Sequence, residues 1–224
     1  KKTDYRLTSG RLTVHLAQEF GFCYGVDRAV DYAYQTRKRF QNRRVFLTGE
    51  IIHNPHVNKR LRNAGIRFLS DQNESIDSLK SDDIVILPAF GVTVGELEQF
   101  DNRGCTLVDT TCGSVLNVWK NVRQYARNGF TSIIHGKVNH EETRATASQA
   151  VKTNTGRYLI ILDRDQASLV CDFVRGNLDH KRFIEIFSGS YSPGFDPAQD
   201  LQKVGLANQT TMLMSESLEI GEMI

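Results

Sequence analysis

Two isolated thiols, two imidazoles, a carboxylate and a hydroxyl stand at matching places in this sequence. Cys23 lies in GFCYGV, His53 in GEIIHNP, Cys112 in DTTCGS, His140 and Glu142 in HGKVNHEET, and Thr210 in ANQTT. Each follows a short apolar run, where a strand hands over to the next segment. In open α/β sheets, ligands collect at the carboxyl ends of strands. Helix N-termini there offer free N–H groups and partial positive charge, a seat for phosphate. One site receiving all six groups is economical; each group alone is weaker. Neither Cys23 nor Cys112 has CxxC spacing, which excludes a zinc ribbon or a ferredoxin-type run. Isolated thiols suit a soft metal, and on spacing alone they equally fit ordinary half-buried positions. His53 and His140 read as neutral hydrogen-bonding residues at loop ends, or as donors to a diphosphate. Glu142 is placed to deliver protons or simply to complement a first helical turn. Thr210 also reads as a turn residue. Cys105 enters a strand and Cys171 sits in a helical stretch, so both read as core. His15, His56, His135 and His180 receive no role.

The elements that must position these groups alternate strand-like runs with helical periods. Leu12–Ala17 reads as a strand, followed after a glycine-bracketed turn by Val26, Ala29, Val30 and Ala33 at helical spacing. Val45–Leu47 reads as a second strand, with a helix opening near Pro55. Ile84–Leu87 is continuously apolar, as in a buried parallel strand. Leu107–Val108 is another, leading to Val115, Val118, Trp119 and Val122 at helical spacing. Ser132–Ile134, Tyr158–Leu162 and Val204–Ala207 add strands, with helices around Gln166–Val174 and Ser215–Ile224. Arg175 to Asp200 reads as one long irregular connection. The alternation predicts an α/β fold with mostly parallel sheets, in two comparable units covering residues 1–111 and 112–224.

A length of 224 residues allows one large or two small domains. Hydrophobic content of 40% and charged content of 24% are ordinary for a globular protein. A net charge of +2 gives no reason to expect nucleic acid or a membrane surface as partner. The basic run Arg37–Lys38–Arg39 with Arg43–Arg44 reads as a solvated face. No apolar run approaches the roughly 18 residues that read as a membrane span. The start, KKTDYRLTSGRLTV, reads as neither a signal nor a transit segment, and its lack of Met suggests a trimmed start. Four cysteines in this length favour a reducing compartment over a disulfide scaffold.

Six motifs, in order, carry a resemblance: GFCYGVDRAV, GEIIHNPHVNKRL, ILPAFG, DTTCGSVLNVWK, IIHGKVNHEETRATAS and VGLANQTTML. From about Leu12 to the end the chain resembles the 4-hydroxy-3-methylbut-2-enyl diphosphate reductase family, also called IspH or LytB. VNKRL, HGKxNHEET and GFDPxxDL are most similar to its plant and cyanobacterial branch, shared with some other bacteria. The resemblance implies a [4Fe–4S] cluster on three cysteines, with Cys23 and Cys112 at the first two ligand positions. It implies that His53 and His140 surround the diphosphate and hydroxyl, that Glu142 belongs to a proton relay, and that Thr210 lies beside the substrate. The implied reaction is reductive dehydroxylation of an allylic diphosphate to isopentenyl and dimethylallyl diphosphate. Electrons would come from a ferredoxin- or flavodoxin-like donor, in the cytoplasm or, for a plant, the plastid stroma.

Two departures from the family pattern carry expectations of their own. Phe90 in PAFG stands where many members have histidine, so a diphosphate contact is lost or replaced there. The third cysteine and a Ser/Asn-rich diphosphate loop belong to a third α/β domain of a pseudo-threefold arrangement, and the chain is expected to stop at Ile224 before it. Cys171 does not match the third ligand. Glu141, next to Glu142, is expected to face solvent. Two other functions compete: a truncated non-catalytic paralogue binding a diphosphate or a protein, and a cysteine hydrolase using Cys112 with His140. The second lacks an evident group to orient its base.

Overall fold

The computed structural model describes residues 4–18, 21–153 and 155–224. In chain order it contains β1 (Arg6–Ser9), β2 (Leu12–His15), α1 (Tyr24–Arg39), β3 (Val45–Leu47), α2 (Pro55–Asn63) and β4 (Arg67–Phe68). Then follow β5 (Ile84–Leu87), α3 (Val94–Asn102), β6 (Thr106–Asp109), α4 (Gly113–Arg127), β7 (Thr131–His135) and α5 (Glu141–Ala150). The chain continues through β8 (Arg157–Ile161), α6 (Arg164–Val174), α7 (His180–Ile186), α8 (Pro197–Asp200), β9 (Val204–Asn208) and α9 (Met214–Met223). The expected α/β fold with parallel sheets is present. One sheet has the order β4-β3-β5-β6 and the other β8-β7-β9, and every pairing within them is parallel.

Both central strands of the first sheet are buried on two faces, which is why they read as continuous apolar runs. Val45, Leu47, Ile84 and Ile86 point to one face and pack with Ala29 and Ala33 of α1 and Leu61 of α2. Phe46, Val85 and Leu87 point to the other and meet Phe100 of α3. In the second sheet Ile133, Leu159 and Ile161 pack on Phe183 of α7, on Phe187 just after it, and on Ala167 and Val170 of α6. Ile134 and Ile160 face Ala147 of α5. The period-2 alternation therefore sorts each strand's side chains between two helical layers.

Four readings of the sequence differ from the structure. The run from Leu12 forms no part of either parallel sheet. It ends at His15 and pairs antiparallel with β1, in a hairpin whose residues are all exposed. Short alternating runs signal extended backbone but not the partner, and here the partner is local. Second, α3 escaped notice although TVGE carries a capping box: Thr93 accepts from the Glu96 N–H, and Glu96 accepts from the Thr93 N–H. Third, α7 occupies the middle of the expected irregular stretch, capped by Asp179 accepting from the Arg182 N–H. Fourth, the basic run is not all solvated. Arg37 donates to the carbonyls of Phe40, Gln41 and Arg43, and Arg44 pairs with the buried Asp83 carboxylate.

Trp119 joins the two sheet systems. It rises from α4, donates through Nε1 to Thr146 Oγ1 of α5 at 3.2 Å, and lies against Gly91 in the loop after β5. Gly91 has φ +76°, and a Cβ there would collide with the indole ring. Both a left-handed backbone and a missing side chain are thus required at one position. Gly91→Ala should cost on the order of 2–3 kcal/mol, read as a lower urea midpoint with an unchanged slope.

Candidate functional site

The sequence-predicted groups sit at helix starts. Cys23 is the N-cap of α1 and Cys112 the N-cap of α4, both with extended backbone and neither side chain making a cap hydrogen bond. Cysteine is an uncommon cap, so these places are held by something other than helix-end satisfaction. The carbonyl of Cys23 accepts from the N–H groups of Val26 and Asp27, which starts α1. The Cys112 loop is set by Asp109, whose Oδ1 accepts from the Thr111 N–H at 2.9 Å and the Thr111 hydroxyl at 2.5 Å. The Cys112 N–H then donates to the Ala89 carbonyl at 3.0 Å, fastening the loop to the end of β5. At Gly25, two residues after Cys23, a Cβ would come to 2.5 Å from Cys112 Sγ. The Cys112 thiol therefore rests against the first turn of α1, and the two cysteine loops converge.

The histidines meet on the far side of Phe90. His53 precedes α2 in a loop held by Asn58, which is 1% exposed. Asn58 accepts from the Ile51 N–H and donates to the Ile52 carbonyl. His140 is the N-cap of α5, and its Nδ1 accepts from the Glu142 N–H at 3.2 Å. His53 Nε2 lies 3.3 Å from His140 Nε2, and His53 Nδ1 lies 3.0 Å from Glu50 Oε2. The Phe90 ring stacks on His53 at 4.6 Å and meets His140 edge-on at 5.3 Å. Ala89 and Phe90 are neighbours, so one loop contacts both Cys112 and the histidine pair. Burial holds the His140 imidazole below its ordinary value; Glu141 opposes this, while His53 and Lys137 add to it.

Glu142 is 1% exposed. Its carboxylate accepts from the Thr210 N–H at 2.5 Å and from Thr210 Oγ1 at 2.9 Å, so two predicted residues share one contact. Burial pushes the carboxyl above its ordinary value, and the Thr210 hydrogen bonds pull it part of the way back. Gln209, 3% exposed, pins the Thr210 loop: its Oε1 accepts from Thr143 Oγ1 and the Lys137 N–H. Glu141 is exposed as expected, yet its Oε2 lies 3.6 Å from His53 Nε2, so it borders the site. Cys105 and Cys171 stand elsewhere. Cys105 Sγ donates to the Lys80 carbonyl beside the first core, and burial raises its thiol. Cys171 Sγ donates to the Met223 carbonyl between α6 and α9.

Reading the sequence missed Glu50, Asn58 and Gln209. Each lies within five residues of a singled-out histidine or threonine, in GEIIHNPHVN and ANQTT, and that adjacency was the available signal. No residue among those described completes a third thiol at the Cys23–Cys112 site, and no described helix is long and apolar enough to cross a membrane.

The family model for the LytB protein matches residues 14–224. Relatives named 4-hydroxy-3-methylbut-2-enyl diphosphate reductase include those of Synechococcus sp. strain RCC307, 48% identical, and strain WH7803, 51% identical; each alignment covers all of this chain. The chain spans about half of their length, 54% and 55%. A solved (E)-4-hydroxy-3-methyl-but-2-enyl diphosphate reductase superposes with a TM-score of 0.67 at 25% identity, over 92% of this chain and 62% of that one. The fold also matches the Plasmodium falciparum E-1-hydroxy-2-methyl-but-2-enyl-4-diphosphate reductase, with a TM-score of 0.69 at 22% identity over 92% of this chain and 54% of that one. Matched over nearly its whole length, the chain belongs to the LytB family.

Proposed function

We propose that this chain supplies part of the active site of an iron–sulfur reductase. The enzyme would dehydroxylate 4-hydroxy-3-methylbut-2-enyl diphosphate to isopentenyl and dimethylallyl diphosphate. The carrying observation is that Cys23 and Cys112 cap converging helices, and that the Ala89–Phe90 loop links Cys112 to His140, which caps α5 beside a buried carboxyl held by Thr210. Family membership and the relatives' names support the reading. Residues 1–111 and 112–224 form its two units, each bringing one cysteine.

The donor set fits a [4Fe–4S] cluster. Both thiols are free of cap bonds, and the missing Cβ of Gly25 keeps space at the Cys112 sulfur. Cys23 and Cys112 would be two of its ligands, the third lying outside this chain. When bound, the cluster supplies two electrons and an electron-pair-accepting iron for the departing hydroxyl. The electrons come from a ferredoxin- or flavodoxin-like donor, in the cytoplasm or a plastid stroma. The N-terminus of α4 presents N–H groups without helical partners to the anionic substrate, and His53 and His140 bind its diphosphate. Glu142, kept protonated to higher pH by burial, delivers a proton so that the C–O bond breaks with loss of water; a second proton and two electrons complete the reduction. Thr210 aims that carboxyl.

Two expected outcomes test this reading in a chain of the relatives' full length. Cys23→Ser or Cys112→Ser should lose bound iron and activity together, while Cys105→Ser and Cys171→Ser keep both; anaerobic iron analysis decides. Glu142→Gln should keep its iron spectrum while turnover falls about 10²–10⁴-fold, the usual contribution of a placed acid. The active form is protonated, so wild-type turnover should fall as pH rises through the Glu142 value, and that basic limb should vanish in Glu142→Gln. Retained iron in Cys112→Ser, with activity intact, contradicts the reading.

A further inference from the structure

The two imidazoles at this site are held by partners whose roles cannot reverse. A backbone N–H only donates, so the Glu142 N–H makes His140 Nδ1 an acceptor. Burial favours the neutral ring, and a neutral ring bonded this way carries its proton on Nε2. A carboxylate only accepts, so Glu50 Oε2, 3.0 Å from His53 Nδ1, makes that nitrogen the donor. Facing the His140 Nε2–H, His53 Nε2 is the acceptor and offers its lone pair. The two Nε2 atoms are 3.3 Å apart, and the hydrogen bond between them runs from His140 to His53. Phe90, stacked on His53, holds the ring plane in which this direction is maintained. The ligand atoms of His53, His140 and Glu141 also lie within 4.8 Å of one another, as a metal would require. But a proton on His140 Nε2 occupies the lone pair a metal would need.

We propose that Glu50 is a positioning residue that fixes the direction of the His140–His53 hydrogen bond, so that the pair takes up a diphosphate together with one proton. This rests on the diphosphate reading given above. An arriving phosphate oxygen accepts the His140 Nε2–H, and that breaks the bond to His53. His53 Nε2 is left with a lone pair facing a second anionic oxygen. Binding is complete only when a proton from solvent occupies that gap, either on His53 Nε2 or on the phosphate oxygen opposite. The charges around the pair are Glu50 on the loop after β3, Glu141 of α5 at 3.6 Å from His53 Nε2, and Lys137 near His140. Arg144 lines the adjoining cleft with Glu50, Phe90 and Glu141. Among the described residues Glu50 is the one that bonds His53 Nδ1, and so it sets which nitrogen of that ring is free.

Two measurements on the 224-residue chain test the proposal, with inorganic pyrophosphate as the probe. Long-range ¹H–¹⁵N spectra of the histidine rings should show the Nδ1–H form at His53 and the Nε2–H form at His140. Glu50→Leu should leave His53 as a mixture of both forms, whereas Glu50→Gln, which keeps a carbonyl acceptor, should largely restore the Nδ1–H form. Glu50 is exposed, so neither variant threatens the fold. Calorimetric titration in buffers of different ionisation heat should give about one proton taken up per pyrophosphate in the wild type. In Glu50→Leu the uptake should fall well below one, because a ring free to turn offers its own N–H. Bound pyrophosphate without proton uptake, or a wild-type His53 protonated at Nε2, overturns the inference and leaves the proposed function standing. No pyrophosphate binding despite the expected ring forms overturns the diphosphate reading itself.

Discussion

A side chain at position 25 would occupy the space of the Cys112 sulfur, and the candidate site depends on that close approach. Cys23 starts α1 and Cys112 starts α4, so the contact brings two helix N-termini to one place. The N–H groups exposed there have no partner within their helices and carry partial positive charge. Like-signed ends oppose such convergence, and it persists because strand burial beneath each helix outweighs it. Ala29 and Ala33 of α1 pack on Ile84 and Ile86 of β5, and Val122 of α4 packs with Ala207 of β9. An anionic group placed between the ends would relieve the opposition.

The same constraint explains why the polar network is so local. The Cys112 N–H reaches Ala89, the Phe90 ring reaches both histidines, and Gly91 admits Trp119. Three consecutive residues after β5 thus serve the cysteine site, the histidine pair and the junction between the sheets. Phe90 puts a ring on His53 at the position where many family members are expected to carry histidine. His53 is thus packed by Phe90 on its face and bonded by Glu50 at Nδ1. Glu142 has a different environment. Its carboxyl is enclosed and accepts from Thr210, and burial pushes it above its ordinary value.

Much of this was legible in the sequence because buried parallel strands are spelled as continuous apolar runs. Ile84–Leu87 and Val45–Leu47 match their strands residue for residue. Five of the six groups follow strands of the parallel sheets; Cys23 follows the hairpin instead, and the approach of Gly25 to Cys112 is what ties it to the rest. The hairpin of β1 and β2 was illegible as such, since alternation in Leu12–His15 does not say which strand it pairs with. Helix α7 was hidden because its seven residues follow an Asn/Asp-rich turn and carry too few apolar positions to show a period. Glu50 was hidden for another reason. A carboxylate three residues before a histidine is common, and only the ring's orientation gives it a role.

The claim that Cys23 and Cys112 form one site is tested most directly by cadmium binding to the 224-residue chain carrying Cys105→Ser and Cys171→Ser. Cadmium is soft and prefers thiolates, and its ¹¹³Cd resonance position reports how many sulfurs it holds. Two converging thiols should bind one cadmium per chain through two sulfurs. Adding either Cys23→Ser or Cys112→Ser to this background should abolish the tight, two-sulfur species. Two independent single-sulfur sites, each surviving loss of the other cysteine, would contradict the account.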